Sequence, residues 1–336
     1  MNPETSIAFF DHQGKLSTPP APMLATLRLL DFYFIDSRNP LKPTHSISNR
    51  HTPRNLRQIQ EWDIPAERRT LAVLETRVND PYPFSRRASR EYGSIIFASH
   101  YHTRESELFG WPWMPPPVHP EVNRRNRIAM VNANKFCSAY GEQYSLRRAF
   151  LQEMVSQGLP IDLYGTNWNR TRMRNVIQSL IHDAVHLRDQ IRIRQRLRFS
   201  HSRYQSLDTQ IFSSLGETKD KFQTLNQYRF SLVIENDRTF FTEKLMDSLA
   251  CGCITFYLGP RPAATEGLPG VVPLPENPRT AVNLIRDYLA HSKALDTESQ
   301  AIRDAAVTAF AQTAGSAWEN LAKRWLNLYG DTEIPQ

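Results

Sequence analysis

One run of sequence, Tyr228 to Gly259, holds a buried strand, a polar loop, a helix and a second strand, and it constrains the fold more than any other stretch of the chain. Phe230 to Ile234 is a short apolar stretch of strand propensity. It ends in the polar Glu235 and Asn236, as a parallel strand does where its sheet opens a ligand crevice. Thr242 has the chemistry of an N-cap, and Leu245, Met246, Leu249 and Ala250 then recur at helical spacing until Gly252 stops the helix. Glu243 and Lys244 therefore fall in the first helical turn, facing the same crevice. A cation beside exposed helix N–H groups suits a phosphate, and a carboxylate there suits a ribose diol.

This run resembles the nucleotide-sugar signature of the α-1,3-fucosyltransferases, glycosyltransferase family ten. Lys221, Tyr228, Arg229, Phe230, Glu235, Asn236, Thr242, Glu243, Lys244, Tyr257 and Gly259 follow the order of that signature. Phe240 departs from it, standing where the family often carries an aromatic hydroxyl. A second stretch is similar too: a strand at 127–131, Asn132, Tyr144-Ser-Leu-Arg-Arg-Ala-Phe150 and Ile161-Asp-Leu-Tyr-Gly165 match the family's strand, Ser-Asn, Arg, helix and Val-Asp-x-x-Gly. The resemblance is strong over 126–259 and faint before Thr70.

The resemblance implies an α/β fold of GT-B type, two Rossmann-like domains facing a central cleft, and an inverting transfer of fucose from GDP-fucose to a glycan hydroxyl. The donor-binding residues it implies are Arg147 or its neighbour Arg148, Lys221, Glu235, Asn236, Thr242, Glu243, Lys244, Tyr164 and Gly259. Arg147 and Lys244 face the diphosphate, Glu243 the ribose hydroxyls, and Glu235 and Asn236 the sugar or its near phosphate. The catalytic base is expected at a strand end of the first domain, where Glu75 stands, with Asp80 in reserve. Each residue taken alone has an ordinary explanation in helix capping, strand-end polarity or a surface ion pair; their joint occurrence favours a site.

No Asp-x-Asp occurs in the chain. The diphosphate is then expected to be neutralised by side-chain cations and helix N-termini, with no metal and no cofactor beyond the donor itself. Cys137, Cys251 and Cys253 are too few for a disulfide framework and lack zinc-ligand spacing, so they read as small buried residues. No basic segment leads into an apolar stretch at the N-terminus and no long apolar run occurs, which predicts a cytoplasmic protein, at most peripheral to the inner membrane.

The net charge of +7 is concentrated in 170–203, which holds nine Arg against two Asp. This insert is a solvated helix and arm, or a contact for an anionic membrane or glycolipid acceptor. It lacks the interleaved aromatics of a single-strand reader, which argues against nucleic acid. Helical spacing from Met173 to Ile191 gives way to alternation over 191–199. Proline-rich 111–120 marks a domain boundary. The expected organisation is an acceptor-side domain over 1–120, a nucleotide-sugar domain over 121–312 and a last helix over 313–336. Strands are expected at 6–10, 31–35, 70–76, 94–99, 127–131, 161–164 and 230–234, helices at 24–30, 146–157, 281–290 and 302–329, and a loop over 39–53. His100, His102 and His119 are loop histidines that could line the cleft. Two rivals remain: the same reaction with another nucleotide sugar, and an inactive transferase scaffold that holds a polyanion through its basic insert.

Overall fold

A computed structural model describes residues 6–28, 33–35, 42–98, 113, 116, 123–136, 141–168, 177, 180–181, 213–261, 265–291 and 296–329. The chain forms two compact units. One takes Met1–Trp113, Arg188–Arg194 and Gln312–Gln336; the other takes Met114–Leu187 and Gln195–Ala311.

The first unit is built on a 5-stranded sheet in which every pairing is parallel. Its strands are β1 (Ser6–Phe10), β2 (Tyr33–Ile35), β3 (His45–Ser48), β4 (Arg69–Val73) and β5 (Ser94–Phe97), in the order β2-β1-β3-β4-β5. Helices α1 (Ala21–Arg28), α2 (Pro53–Glu61) and α3 (Ala88–Glu91) belong to this unit. One cluster joins Ile7, Phe9, Ile47, Ala72 and Ile96 of the sheet to Met23 and Leu27 of α1 and to Leu321 and Trp325 of the last helix. Another joins Leu71 and Val73 to Tyr82, Ala88 and Tyr92. Both faces are covered, as an all-parallel sheet requires.

The second unit repeats this plan with β6 (Arg125–Val131), β7 (Ile161–Tyr164), β8 (Tyr228–Ile234), β9 (Ile254–Leu258) and β10 (Val271–Pro273), again parallel throughout. Its helices are α4 (Tyr144–Ser156), α5 (Lys221–Leu225), α6 (Glu243–Ala250) and α7 (Pro278–His291). The order β10-β9-β8-β6-β7 is the order of the first sheet when the strands are counted from β6. In such a sheet the winding reverses between the first and third strands, and ligands bind outside the carboxyl ends at that switch point. Here the switch point lies between the ends of β6 and β8. The last helix, α8 (Asp296–Tyr329), is continuous; its residues to Ala311 belong to the second unit and those from Gln312 to the first.

Most expected elements form with shifted ends. The exception is the expected loop over 39–53, which contains β3, paired on both sides by β1 and β4. His45-Ser-Ile-Ser48 is half polar and carries little strand signal, yet all four residues are buried because their neighbours enclose them. Helix α2 begins in that stretch too, closed by a capping box: Asn55 N donates to Thr52 Oγ1 at 3.1 Å and Thr52 N to Asn55 Oδ1 at 2.8 Å. Strand β4 ends at Val73, so Glu75 stands in the following loop and not on the strand. Ile177, Leu180 and Ile181 are helical and exposed. The rest of the expected helix over 173–191, the arm over 191–199, Cys137 and the three loop histidines lie outside the described residues.

Two histidines tie the first unit to pH. His45 packs edge-on to Trp325 and Tyr329, with ring centroids 5.3 Å from each, and burial together with Arg68 lowers its pKa from 6.5 to about 4. His51 stacks on Tyr82 at 3.6 Å; burial, with Arg87 acting against Glu91, lowers it to about 4 as well. Between these values and 6.5 the unfolded chain binds more protons than the native one, so stability falls as pH drops through that window and is level above it. The urea midpoint is predicted to decline from pH 6.5 to 4 and His45→Phe to flatten the decline; an unchanged slope in the variant would contradict this.

Candidate functional site

The site is organised around Glu235, the first residue beyond β8, which has 0% exposure. Its carboxylate accepts from Thr242 N at 3.1 Å and from Thr242 Oγ1 at 2.6 Å, and Lys244 Nζ lies 3.7 Å away. Lys244 Nζ donates to the same Thr242 Oγ1 at 2.8 Å. The Tyr257 hydroxyl donates to Pro260 O at 2.7 Å and touches Glu235 Oε1 at 3.4 Å. Burial pushes the Glu235 carboxyl up, against the pull of Lys244 and Thr242. Thr242 does hold the N-cap position of α6, with φ −128 and ψ 178, but its hydroxyl turns back to Glu235 and caps no helix N–H. The first turn of α6 is thus left without a cap from the N-cap side chain, and the Glu243 carboxylate bonds its own backbone N–H.

Glu243 and Lys244 follow in that turn. Burial alone raises the Glu243 carboxyl, but Lys244 and Lys221 outweigh it and hold the group below its usual range. Lys221, at the start of α5, reaches Glu243 at 3.9 Å and makes a closer ion pair with buried Asp247 of α6. Burial works against the charge on Lys221 and Asp247 restores it, with the net shift upward.

Across the switch point stands α4. Arg147, 2% exposed, donates from Nη1 to Ala133 O at 3.3 Å and from Nη2 to Ile234 O at 2.6 Å and Asn236 Oδ1 at 3.2 Å. One guanidinium therefore bonds the backbone just beyond β6 to the last carbonyl of β8 and to the Asn236 side chain beyond it. Its Nε is sealed without a partner, and burial lowers its pKa. Arg148, 1% exposed, turns the other way, to Asn134 Oδ1 and Lys135 O, with Phe136 4.0 Å beneath it. Neither is a solvated helical arginine, and Arg147 is the one bonded to Ile234 O and Asn236 Oδ1 by the contacts given above.

The two loops also pair through their backbones: Gln143 N donates to Asn236 O at 3.1 Å and Arg238 N to Gly141 O at 3.2 Å. Sequence reasoning passed over Gln143, Glu142 and Asp237 in this junction. Glu142 receives Ser145 N at 2.9 Å at the start of α4. Asp237 is buried, with Oδ1 taken by Thr239 N and Oγ1 and Oδ2 sealed without a partner. Asp-x-Thr is a recognisable Asx-turn signal, but nothing local announces that Gln143 is buried.

Gly259 belongs to the site through space. A Cβ there would stand 2.5 Å from Glu235 Cγ. Tyr164 does not join it: its hydroxyl meets the Tyr228 hydroxyl at 2.7 Å, and that hydroxyl donates to Asp162 at 2.8 Å. The pair sits with Ala129, Leu225 and the buried cysteines Cys251 and Cys253. The neighbouring Gly165, with φ +126, is required because a Cβ would collide with Asn132 O. Glu75 belongs to the other unit, where it is exposed and its Oε2 accepts Asn79 Nδ2 at 2.8 Å. No described helix is long and apolar enough to cross a membrane, and no group of three metal-binding side chains occurs among the described residues.

No family model matches the chain, and no curated protein matches it by sequence. Solved structures do match. The DNA-modifying enzyme β-glucosyltransferase, solved with and without uridine diphosphoglucose, aligns over 96% of this chain and 100% of its own at 12% identity and a TM-score of 0.50. An α1,3-fucosyltransferase aligns over 98% and 91% at 13% identity and a TM-score of 0.49. A glycosyltransferase from Rickettsia africae ESF-5 aligns over 92% and 88% at 9% identity and a TM-score of 0.49. At these identities the likeness concerns fold. With the two parallel sheets, the alignment to the β-glucosyltransferase defines a two-domain α/β protein of GT-B type.

The packing at Gly259 is directly testable. Gly259→Ala is predicted to push Glu235 off Thr242 and to cost about 1–3 kcal/mol of stability, the usual range for overpacking. An unchanged denaturation midpoint would show that the loop makes room.

Proposed function

We propose that the chain is a glycosyltransferase that binds a nucleoside diphosphate sugar at the carboxyl ends of β6 and β8, with GDP-fucose as donor and a glycan hydroxyl as acceptor. The observation that carries this reading is the buried Arg147. It is a guanidinium at the switch point of a parallel sheet, with a partnerless Nε and without an ion pair among the described residues. A buried cation of this kind suits an anion. Lys244 and the N-terminus of α6 add positive potential on the β8 side.

In this reading the charge that develops on the leaving diphosphate is met by Arg147 and Lys244 without a metal ion, a preorganised arrangement. Glu243 faces the ribose and Asn236 the near phosphate. Glu235, sealed from solvent, orients Thr242 and Lys244. Glu75 takes the proton of the acceptor hydroxyl as that oxygen bonds the anomeric carbon on the face opposite the departing diphosphate, which inverts that carbon. Tyr164 supports the sheet and makes no donor contact. The basic insert at 170–203 is a contact for an anionic membrane or a charged glycolipid, which liposome flotation with and without its Arg residues tests.

A second reading keeps the reaction and changes the donor. Phe240 has 0% exposure and offers no hydroxyl where the resemblance leads one to expect it, which loosens the link to fucose. Calorimetry with GDP, GDP-fucose and uridine diphosphate sugars, each with and without EDTA, separates the two. Lys244→Ala is predicted to weaken GDP binding about tenfold or more, the worth of a charge-assisted hydrogen bond. Glu75→Gln is predicted to leave GDP binding unchanged and to lower transfer about 100-fold or more. Equal loss of donor affinity in both variants would contradict the division of roles, and binding of GDP without transfer to any glycan would favour an inactive scaffold.

A further inference from the structure

Beside Arg147 lies a second sealed donor that the reading above leaves without a task. Gln143 is 2% exposed, and its Nε2 has no hydrogen-bond partner. It occupies the N-cap position of α4, yet its side chain caps nothing. Its backbone does the local work: its N–H donates to Asn236 O and its carbonyl accepts Arg147 N at 2.9 Å.

The geometry places the two partnerless donors together. Gln143 and Arg147 are one helical turn apart, on one face of α4. Gln143 adjoins Asn236 through the backbone, and Arg147 Nη2 bonds the Asn236 side chain at 3.2 Å. Glu142 and Asp237 form an isolated antiparallel bridge. The Glu142 carboxylate accepts from Ser145, and Asp237 Oδ1 accepts from Thr239 N and Oγ1. The nearby carboxylates are thus not the acceptors for these donors. Buried donors without an acceptor are rare in native proteins. Glu235 and Glu142 act on the Arg147 charge without bonding the guanidinium; a water would satisfy an amide, whereas an anionic oxygen would also meet that charge directly, and the α4 N-terminus favours the same charge.

We propose that Gln143 is a phosphate-binding residue, its amide and Arg147 Nε together receiving oxygens of the donor's diphosphate. This rests on the reading that a nucleoside diphosphate occupies the β6–β8 crevice. Both atoms are sealed, so the phosphate reaches them when the 236–238 loop, held to 141–143 by two backbone bonds, turns aside.

The test is calorimetry on the full chain with GDP, guanosine and inorganic pyrophosphate, using the natural protein, Gln143→Leu and Gln143→Asn. Expected for Gln143→Leu is about tenfold weaker binding of GDP and pyrophosphate, the scale of one lost hydrogen bond, with guanosine unchanged. Gln143→Asn keeps an amide that is too short and is expected to show the same split, which preserves the test should the Leu variant fail to fold. GDP affinity equal to that of the natural protein in a folded variant, even with an altered melting temperature, would assign the amide to a structural water and overturn the proposal. Natural protein that binds pyrophosphate but no nucleotide would overturn the proposed function alone, with the pyrophosphate arm still deciding the role of Gln143. Natural protein that binds neither would overturn both.

Discussion

Glu235 is a carboxylate with 0% exposure at the end of a central parallel strand, and the second unit's crevice is arranged around it. Leaving such a charge unpaired inside a protein costs several kcal/mol, so its partners are fixed in number and direction. Thr242 supplies two donors, Lys244 the countercharge, and Gly259 the space for its methylene. Thr242 and Lys244 come from the start of α6 and Gly259 from just beyond β9. The carboxylate therefore sets where α6 begins and turns Thr242 away from its amides.

The sheet order decides where this arrangement acts. Both units wind their strands in the same order, and in the second the reversal falls between β6 and β8. Arg147 spans that reversal by bonding Ala133 O on one side and Ile234 O on the other. The same guanidinium keeps an unanswered N–H, and Glu235 and Glu142 act on its charge without an ion pair among the described residues. Under the proposed function, structural closure and anion binding fall to one side chain.

Much of the second unit was legible because its strands are continuous apolar runs and its helices keep a clear period, as at Phe230–Ile234 and Leu245–Ala250. What was not legible depended on partners distant in sequence. Strand β3 is half polar and is a strand because β1 and β4 enclose it. Thr242 reads as a helix cap by its type, and only the fold shows that Glu235 takes its hydroxyl. Tyr164 sits in a motif that resembles a donor-binding one, while its actual partner, Tyr228, is 64 residues away. The burial of Arg147 and Gln143 follows from the β8 loop folding over α4, which no periodicity announces. The shared winding order of the two units has no trace in the sequence, because topology constrains burial patterns and not residue identities.

In the proposed function the crevice between β6 and β8 receives a nucleoside diphosphate through Arg147 and its neighbours. Hydrogen exchange of the full chain with and without saturating GDP tests it most directly. New amide protection is expected at 132–148 and 235–245 alone, with β7 and β10 at the sheet edges unaffected. Protection centred elsewhere, or no change at a GDP concentration that saturates binding by calorimetry, would contradict it.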